Sequence, residues 1–235
     1  GTVAVGYSAL AALASGAGNV AMGYQSLAAM TDGSNNIAIG YQTMALADNA
    51  DCDDNIAIGN YVLDALADRN LHSCVLIGHN VMTACDNGAP DGTVAIGHSA
   101  LGALTSGAGN VAVGYNALTL EAGGSRNIAI GYGAMDAAAN AEDDNIAIGY
   151  DAMGNLNDAS SDNNMAIGNY AAAGMGTVGG LDNVFIGINS GGGTWTTTAS
   201  SYNVAIGSGS MDDAMEAAHY NVCVGYSSLS ALTGG

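Results

Sequence analysis

The hydrophobic positions of this chain fall into one short word, Asn-aliphatic-Ala-aliphatic-Gly, which returns thirteen times. Its glycines run from Gly6, Gly23 and Gly40 to Gly187, Gly207 and Gly225, at spacings of 17 to 20 residues. One and three places before each glycine the residue is aliphatic in every copy, as at Ile37 and Ile39 or Ile146 and Ile148. Apolar positions two apart share one face of an extended chain, so each word predicts a short β-strand. Ala stands between them in ten copies, which predicts that the opposite face is also crowded, by a neighbouring element or a second chain. Four places before the glycine stands Asn in ten copies, including Asn19, Asn110, Asn145 and Asn203. An amide recurring at one place in successive coils predicts a side-chain ladder along the stack. The glycine itself predicts a corner with positive φ, or a place where backbones touch.

After the glycine comes Tyr in seven copies, and three residues further on Leu or Met, as at Leu10, Leu27, Met44, Leu118 and Met153. Several copies add a second such residue three places later: Leu13, Met30, Leu66, Leu104 and Leu156. This step predicts a helical or 3₁₀ turn packed back on the strand layer, with a second short strand as the alternative. Stretches such as Thr31-Asp32-Gly33-Ser34 close the coil. A repeat of this length is too short for a βαβ unit of about 30 residues. It fits a solenoid, in which each coil is sealed by its neighbours. The predicted fold is therefore all-β, a parallel β-solenoid of about thirteen coils spanning residues 1–235 as one repeat domain. Parallel strands ~4.8 Å apart would make it a rod on the order of 60 Å long. The chain starts and stops inside the pattern, as expected of a segment of a longer fibrous protein.

Composition narrows the function. The formal net charge is −19, with 21 acidic residues against Arg69 and Arg126 and no lysine. Nucleic acid and anionic membrane surfaces require a basic footprint, so neither is an expected partner. No apolar run approaches the ~18 residues of a membrane span, and no signal peptide is visible. Phe185 and Trp195 are the sole members of their types, so the interior must be thin and aliphatic. Cys52, Cys74, Cys85 and Cys223 show no zinc-type spacing and fall at different phases of the coil, which favours free buried thiols over a disulfide ladder.

The stretches Asn36-Ile37-Ala38-Ile39-Gly40-Tyr41 and Gly114-Tyr115-Asn116-Ala117-Leu118 resemble the YadA-like head repeat of trimeric autotransporter adhesins. They are more similar still to the Gly-Tyr-x-Ala-Leu arrays of bacteriophage tail fibres. The resemblance covers all thirteen words and implies a left-handed parallel β-roll, assembled as a homotrimer and projecting from a surface to bind a target. The residues argue separately for several chains. The aliphatic, Tyr and Leu/Met columns give one thin coil more apolar surface than it has directions in which to hide it.

No catalytic set is legible: the chain lacks Gly-x-Ser-x-Gly, HExxH and a P-loop, and the expectation is no enzyme and no cofactor. The acidic clusters Asp51, Asp53 and Asp54; Glu142, Asp143 and Asp144; and Asp212, Asp213 and Glu216 match no Ca²⁺ motif and read as a solvated surface. Eighteen Asp against three Glu fits turn chemistry. His79 and His98 occupy the Tyr column in adjacent coils, where three chains would supply six imidazoles; they are the candidate metal ligands, the alternative being filler in place of Tyr. His72 and His219 lie outside that column and look incidental. The most irregular coil, from Gly187 to Gly207, offers Thr194, Trp195 and Thr196 as a candidate recognition loop for a sugar. The alternative is that Trp195 fills the gap left by a lost Leu at Gly191. The function expected is an extracellular structural and adhesive fibre: a homotrimeric segment of a phage tail fibre or spike supporting host attachment, with a cell-surface receptor, a glycan included, as partner. The head of a bacterial trimeric autotransporter adhesin and a subunit of an extracellular filament are the alternatives.

Overall fold

The structure is a computed structural model that describes residues 1–47, 52–65, 70–85, 90–139, 141–195, 198–213 and 217–230. Leu66, Arg69, Asp51, Thr196 and Glu216 lie outside the described residues. The chain forms two compact units, Gly1–Val113 and Gly114–Gly235. Each is a stack of coils, and among the described residues there is no helix.

In the first unit the strands are β1 (Val3–Val5), β2 (Val20–Met22), β3 (Ile37–Ile39), β4 (Cys52–Asp53), β5 (Ile56–Asn60), β6 (Leu71–His72), β7 (Val75–His79), β8 (Val94–His98) and β9 (Val111–Val113). All but β4 and β6 form one parallel sheet in chain order, one strand per repeat word. The β4 and β6 strands pair with each other on a separate side of the coil. In the second unit β10 (Ile128–Ile130), β11 (Ile146–Ile148), β12 (Met165–Ile167), β13 (Val184–Ile186), β14 (Val204–Ile206) and β15 (Val222–Val224) form the same parallel array. Words superpose without slip: Ala21 faces Ala38 and Ala38 faces Ala57 across the ladder. The parallel β-solenoid expected from the repeat is thus present in each unit.

Three details of the coil differ from expectation or sharpen it. The first is which side chains point inward. In most strands the central Ala is the fully buried residue, as at Ala21, Ala38, Ala57, Ala129 and Ala147, while the flanking aliphatics point outward and are half-buried or exposed. The interior is filled from the far side by Leu27, Leu63, Leu101, Leu118, Met135 and Met153. In most coils the narrow lumen matches a methyl group from the strand with a long side chain from the arc; the coil of β7 is an exception, with Leu76 and Met82 both buried.

The second is the arc that bears those Leu and Met residues. It is a chain of turns rather than a helix, with left-handed backbone at two alternate positions per coil: φ is 54° at Gln25 and 50° at Leu27, and the same values recur at Ser8 and Leu10. Alternation turns successive amides toward opposite neighbours. Gln25 N–H donates to Tyr7 in the preceding coil (2.8 Å), and Leu27 N–H to Thr43 in the following one (3.0 Å). The second unit repeats this, with Asp151 donating to Tyr132 and Met153 to Ala171. The column holds Leu or Met rather than Val or Ile because a β-branched residue is strained at positive φ.

The third is the word-ending glycine, which needs both properties foreseen for it. Gly40 has φ +138°, and a Cβ there would overlap the carbonyl of Gly59 in the next coil. Gly59 stands in the same relation to Gly78.

Candidate functional site

Three outward columns lie side by side on the sheet face of each unit: the two aliphatics of the strand word and, past the glycine, the aromatic. In the first unit Tyr7, Tyr24 and Tyr41 stack with centroids 5.3 and 5.1 Å apart and planes within 12°. Tyr61 then meets Tyr41 edge-on and leads to His79, which stacks on His98 at 5.2 Å. In the second unit Tyr115, Tyr132 and Tyr150 stack at 5.0 and 5.4 Å and Tyr170 meets Tyr150 edge-on. At the other end of the strand word, just before Asn203 and Asn221, Tyr202 stacks on Tyr220 at 5.0 Å. The coil spacing sets these distances, close to the favoured separation of offset aromatic pairs. Tyr24 and Tyr41 are each 41% exposed and Ile130 is 38% exposed, so a single chain leaves this face open along its length.

His79 and His98 are therefore brought together as a stacked pair with planes 16° apart. Imidazole lone pairs lie in the ring plane, so two nearly parallel rings do not converge on one ion within a chain. His98 Nδ1 lies 2.9 Å from Ser99 Oγ. Among the described residues no group of three or more His, Cys, Asp or Glu is arranged to hold a metal.

The recognition-loop expectation is corrected for Trp195, which is 3% exposed and meets Phe185 edge-on at 6.0 Å. Phe185 replaces the usual inward Ala, and Gly191 replaces the usual Leu; a Cβ at Gly191 would collide with the Phe185 ring. The larger strand residue thus takes the volume released by the smaller arc residue, and Trp195 completes the layer. Its ring is core and offers no platform to a sugar. Thr194 is exposed beside it, and Thr196 falls outside the described residues.

The amide ladder is present and does more than the sequence foretold. Asn164 is typical. Its Nδ2 donates to Asn145 Oδ1 (3.2 Å) and across the coil to the Gly180 carbonyl (2.7 Å), while its Oδ1 accepts from Asn183 N–H (3.1 Å) and Nδ2 (3.0 Å). The inner rungs, Asn145, Asn164 and Asn183 among them, tie their own strand to the neighbouring coils and to the opposite wall, and they are buried.

A second polar ladder was not anticipated. Two residues before the Asn column, a polar side chain in several coils accepts the backbone N–H at the same position in the preceding coil. Asp53 caps Ser34 (2.6 Å), Asp91 caps His72 (2.8 Å), Asp143 caps Ser125 (2.6 Å) and Asp162 caps Asp143 (2.8 Å). Ser201 Oγ and His219 Nδ1 do the same for Leu181 and Ser201. Asp53 and Asp143, read as members of solvated clusters, are thus built into the backbone, and His219 is not incidental. The excess of Asp over Glu was the available signal, because only the shorter side chain fits this reach. Arg126 adds an outer clamp, with Nε donating to Asp144 at 2.6 Å and a guanidinium N 3.5 Å from Asp143. Its guanidinium holds the Asp144 carboxyl below the ordinary carboxylate range. The cysteines Cys52, Cys74, Cys85 and Cys223 are all buried thiols and form no disulfide, as the coil phases implied.

No family model, curated protein or solved structure matches the chain. No helix among the described residues is long and apolar enough to cross a membrane.

Proposed function

We propose that this chain is a structural and adhesive segment of an extracellular fibre, a part of a phage tail fibre or spike that supports host attachment. It acts as a homotrimer of thirteen-coil rolls. The observation that carries the reading is the outward aliphatic and aromatic columns, which run coil after coil and which one chain leaves uncovered. Contiguous exposed apolar surface of this kind marks an interface, and three sister chains bury it with cyclic symmetry. The likeness of the repeat word to adhesin heads and phage fibre arrays supports the same assembly. Coils tied to one another by strand, amide and aspartate ladders suit a stalk. The reading assigns the chain no catalysis, no cofactor and no nucleic-acid partner.

The test is native mass with Ile130→Asp. Ile130 is partly exposed in one chain, so the variant keeps its coils and its β-type circular dichroism. In the trimer three carboxylates would be desolvated together, which raises the dissociation constant by about a hundredfold or more. A monomeric wild type, or a variant trimer as tight as wild type, sinks the proposal.

A further inference from the structure

On the arc of the first unit, beside the sheet face, lies a groove of about 450 Å³. Gln25 and Gln42 line it in successive coils, and Ala28, Ala45, Leu46 and Asp64 are among its other lining residues. Ala45 is nearly buried and Leu46 is 54% exposed, so the groove has a small-residue floor and an apolar edge. Its size falls within the range of small-molecule sites. The chain holds two glutamines, and both are here. The corresponding positions of the second unit include Asn116, Gly133 and Asp151, so the groove is not a by-product of the repeat.

The polar groups define what it accepts. Gln42 Nε2 donates to Gln25 Oε1 at 2.9 Å, which fixes both amide planes. The pair still presents donors on Gln25 Nε2 and an acceptor on Gln42 Oε1. Asp64 adds a half-buried carboxyl whose pKa is raised by desolvation, and none of the lining residues is cationic. A ligand suited to this set offers both hydrogen-bond donors and acceptors, small apolar faces and no negative charge. Hydroxyls on a sugar ring meet all three conditions.

We propose that this groove is a carbohydrate site for one or two rings of a neutral glycan, which makes it the point where the fibre holds its receptor; the inference rests on the attachment reading above. The groove lies on the arc rather than the sheet face, so it stays open when the sheet faces are covered by sister chains.

The experiment is calorimetric titration of the whole chain with oligomers of glucose, galactose, mannose and N-acetylglucosamine, with a sialylated oligosaccharide and a diamine as contrasts. At least one neutral oligomer is expected to bind. Ala28→Met, which fills the groove, abolishes that binding, and Asp64→Asn, which keeps its shape, weakens it about tenfold, the equivalent of one good hydrogen bond. Absence of binding by every neutral oligomer overturns the proposal, as does undiminished binding by both variants or preference for the sialylated sugar or the diamine. Native mass read on the same samples separates the two readings. A monomer that binds a neutral sugar through this groove defeats the trimer and keeps the site; a trimer that binds none does the reverse.

Discussion

The asparagine column is continuous in the second unit and broken in the first. From Asn127 through Asn145, Asn164, Asn183 and Asn203 to Asn221 every rung donates to the one before it, at 3.0 to 3.4 Å. In the first unit the chain of amides runs from Asn19 through Asn36 to Asn55 and then meets Cys74 and Thr93. The main sheet runs on through the break, with Val75 paired to Val94 in register. The Cys74 amide still donates to Asn55 Oδ1 (3.1 Å), and its thiol reaches the Pro90 carbonyl (3.3 Å), the atom an Asn side chain would bond. Thr93 Oγ1 is buried with no partner. The comparison separates two roles: the backbone ladder sets the coil, and the amide column ties strand to opposite wall. Without its amide the coil keeps its place in the main sheet, and at Thr93 it carries an unmet polar group.

The largest effect should follow from cutting the continuous column. Asn164→Ala leaves Asn183 without its two contacts to Oδ1 and the Gly180 carbonyl without its donor, all in a buried setting. Unmet buried groups cost ~1–3 kcal/mol each, so the loss is expected at about 3 kcal/mol or more. The same change at Asn55, next to the break, removes one fewer contact above it, because Cys74 has no side-chain amide to donate. It should cost about 1 kcal/mol less. Denaturant midpoints on the two variants check this, and equal losses would mean that the column does not act rung by rung.

How much of this was readable beforehand differs by column. The strand word, its register and the amide ladder follow from spacing alone, because an identical residue at an identical phase must superpose in a stack. The inward face was not readable. Ile outweighs Ala on any hydropathy scale, and only the narrow lumen, already filled by Leu27 or Met153 from the arc, reverses the choice. The arc was misread as a helical turn because an i, i+3 step does not reveal the sign of φ. The absence of Val and Ile at Leu10, Leu27 and Met44 was the unused clue. The capping row of Asp53, Asp91, Asp143 and Asp162 was hidden for another reason. Its acceptors reach backbone groups in the preceding coil, and backbone leaves no trace in a residue pattern. Trp195 was ambiguous because one aromatic serves a ligand or a gap equally well until Gly191 and Phe185 are seen to exchange volumes.

A smaller effect should come from repairing the break. Cys74→Asn places a donor 16 residues from Pro90, the same offset that joins Asn36 to the Cys52 carbonyl at 2.6 Å. Burial pushes the Cys74 thiol up to about 11, so the native residue stays a neutral, weak donor through ordinary pH. An amide in its place gains about 1 kcal/mol, which at this chain length raises the melting temperature by about 3 °C. A variant that melts lower than wild type would show that the site has repacked around sulfur and that the break is an adaptation in its own right.

The smallest effect concerns the rim of the second unit, where Arg126 clamps Asp143 and Asp144 outside the amide column. Both partners are well exposed, so Arg126→Gln should lower the melting temperature only slightly, and less in high salt. Its value lies in its pH dependence. The Asp144 carboxyl is held low chiefly by its hydrogen bond from Arg126, so the clamp contributes above the ordinary value of 3.8 and is lost as pH falls through and below it. Asp136 runs the other way, raised first by desolvation and then by Asp151, so its ionisation weakens the fold as pH rises past 3.8. That second effect is shared by wild type and variant and cancels in their difference. The gap in melting temperature between the two should be present at pH 7 and close toward pH 3, while the gap between wild type and Asn164→Ala, which involves no titrating group, should persist. A difference for Arg126→Gln that survives at pH 3 would place its contribution in side-chain packing along the rim instead of in charge.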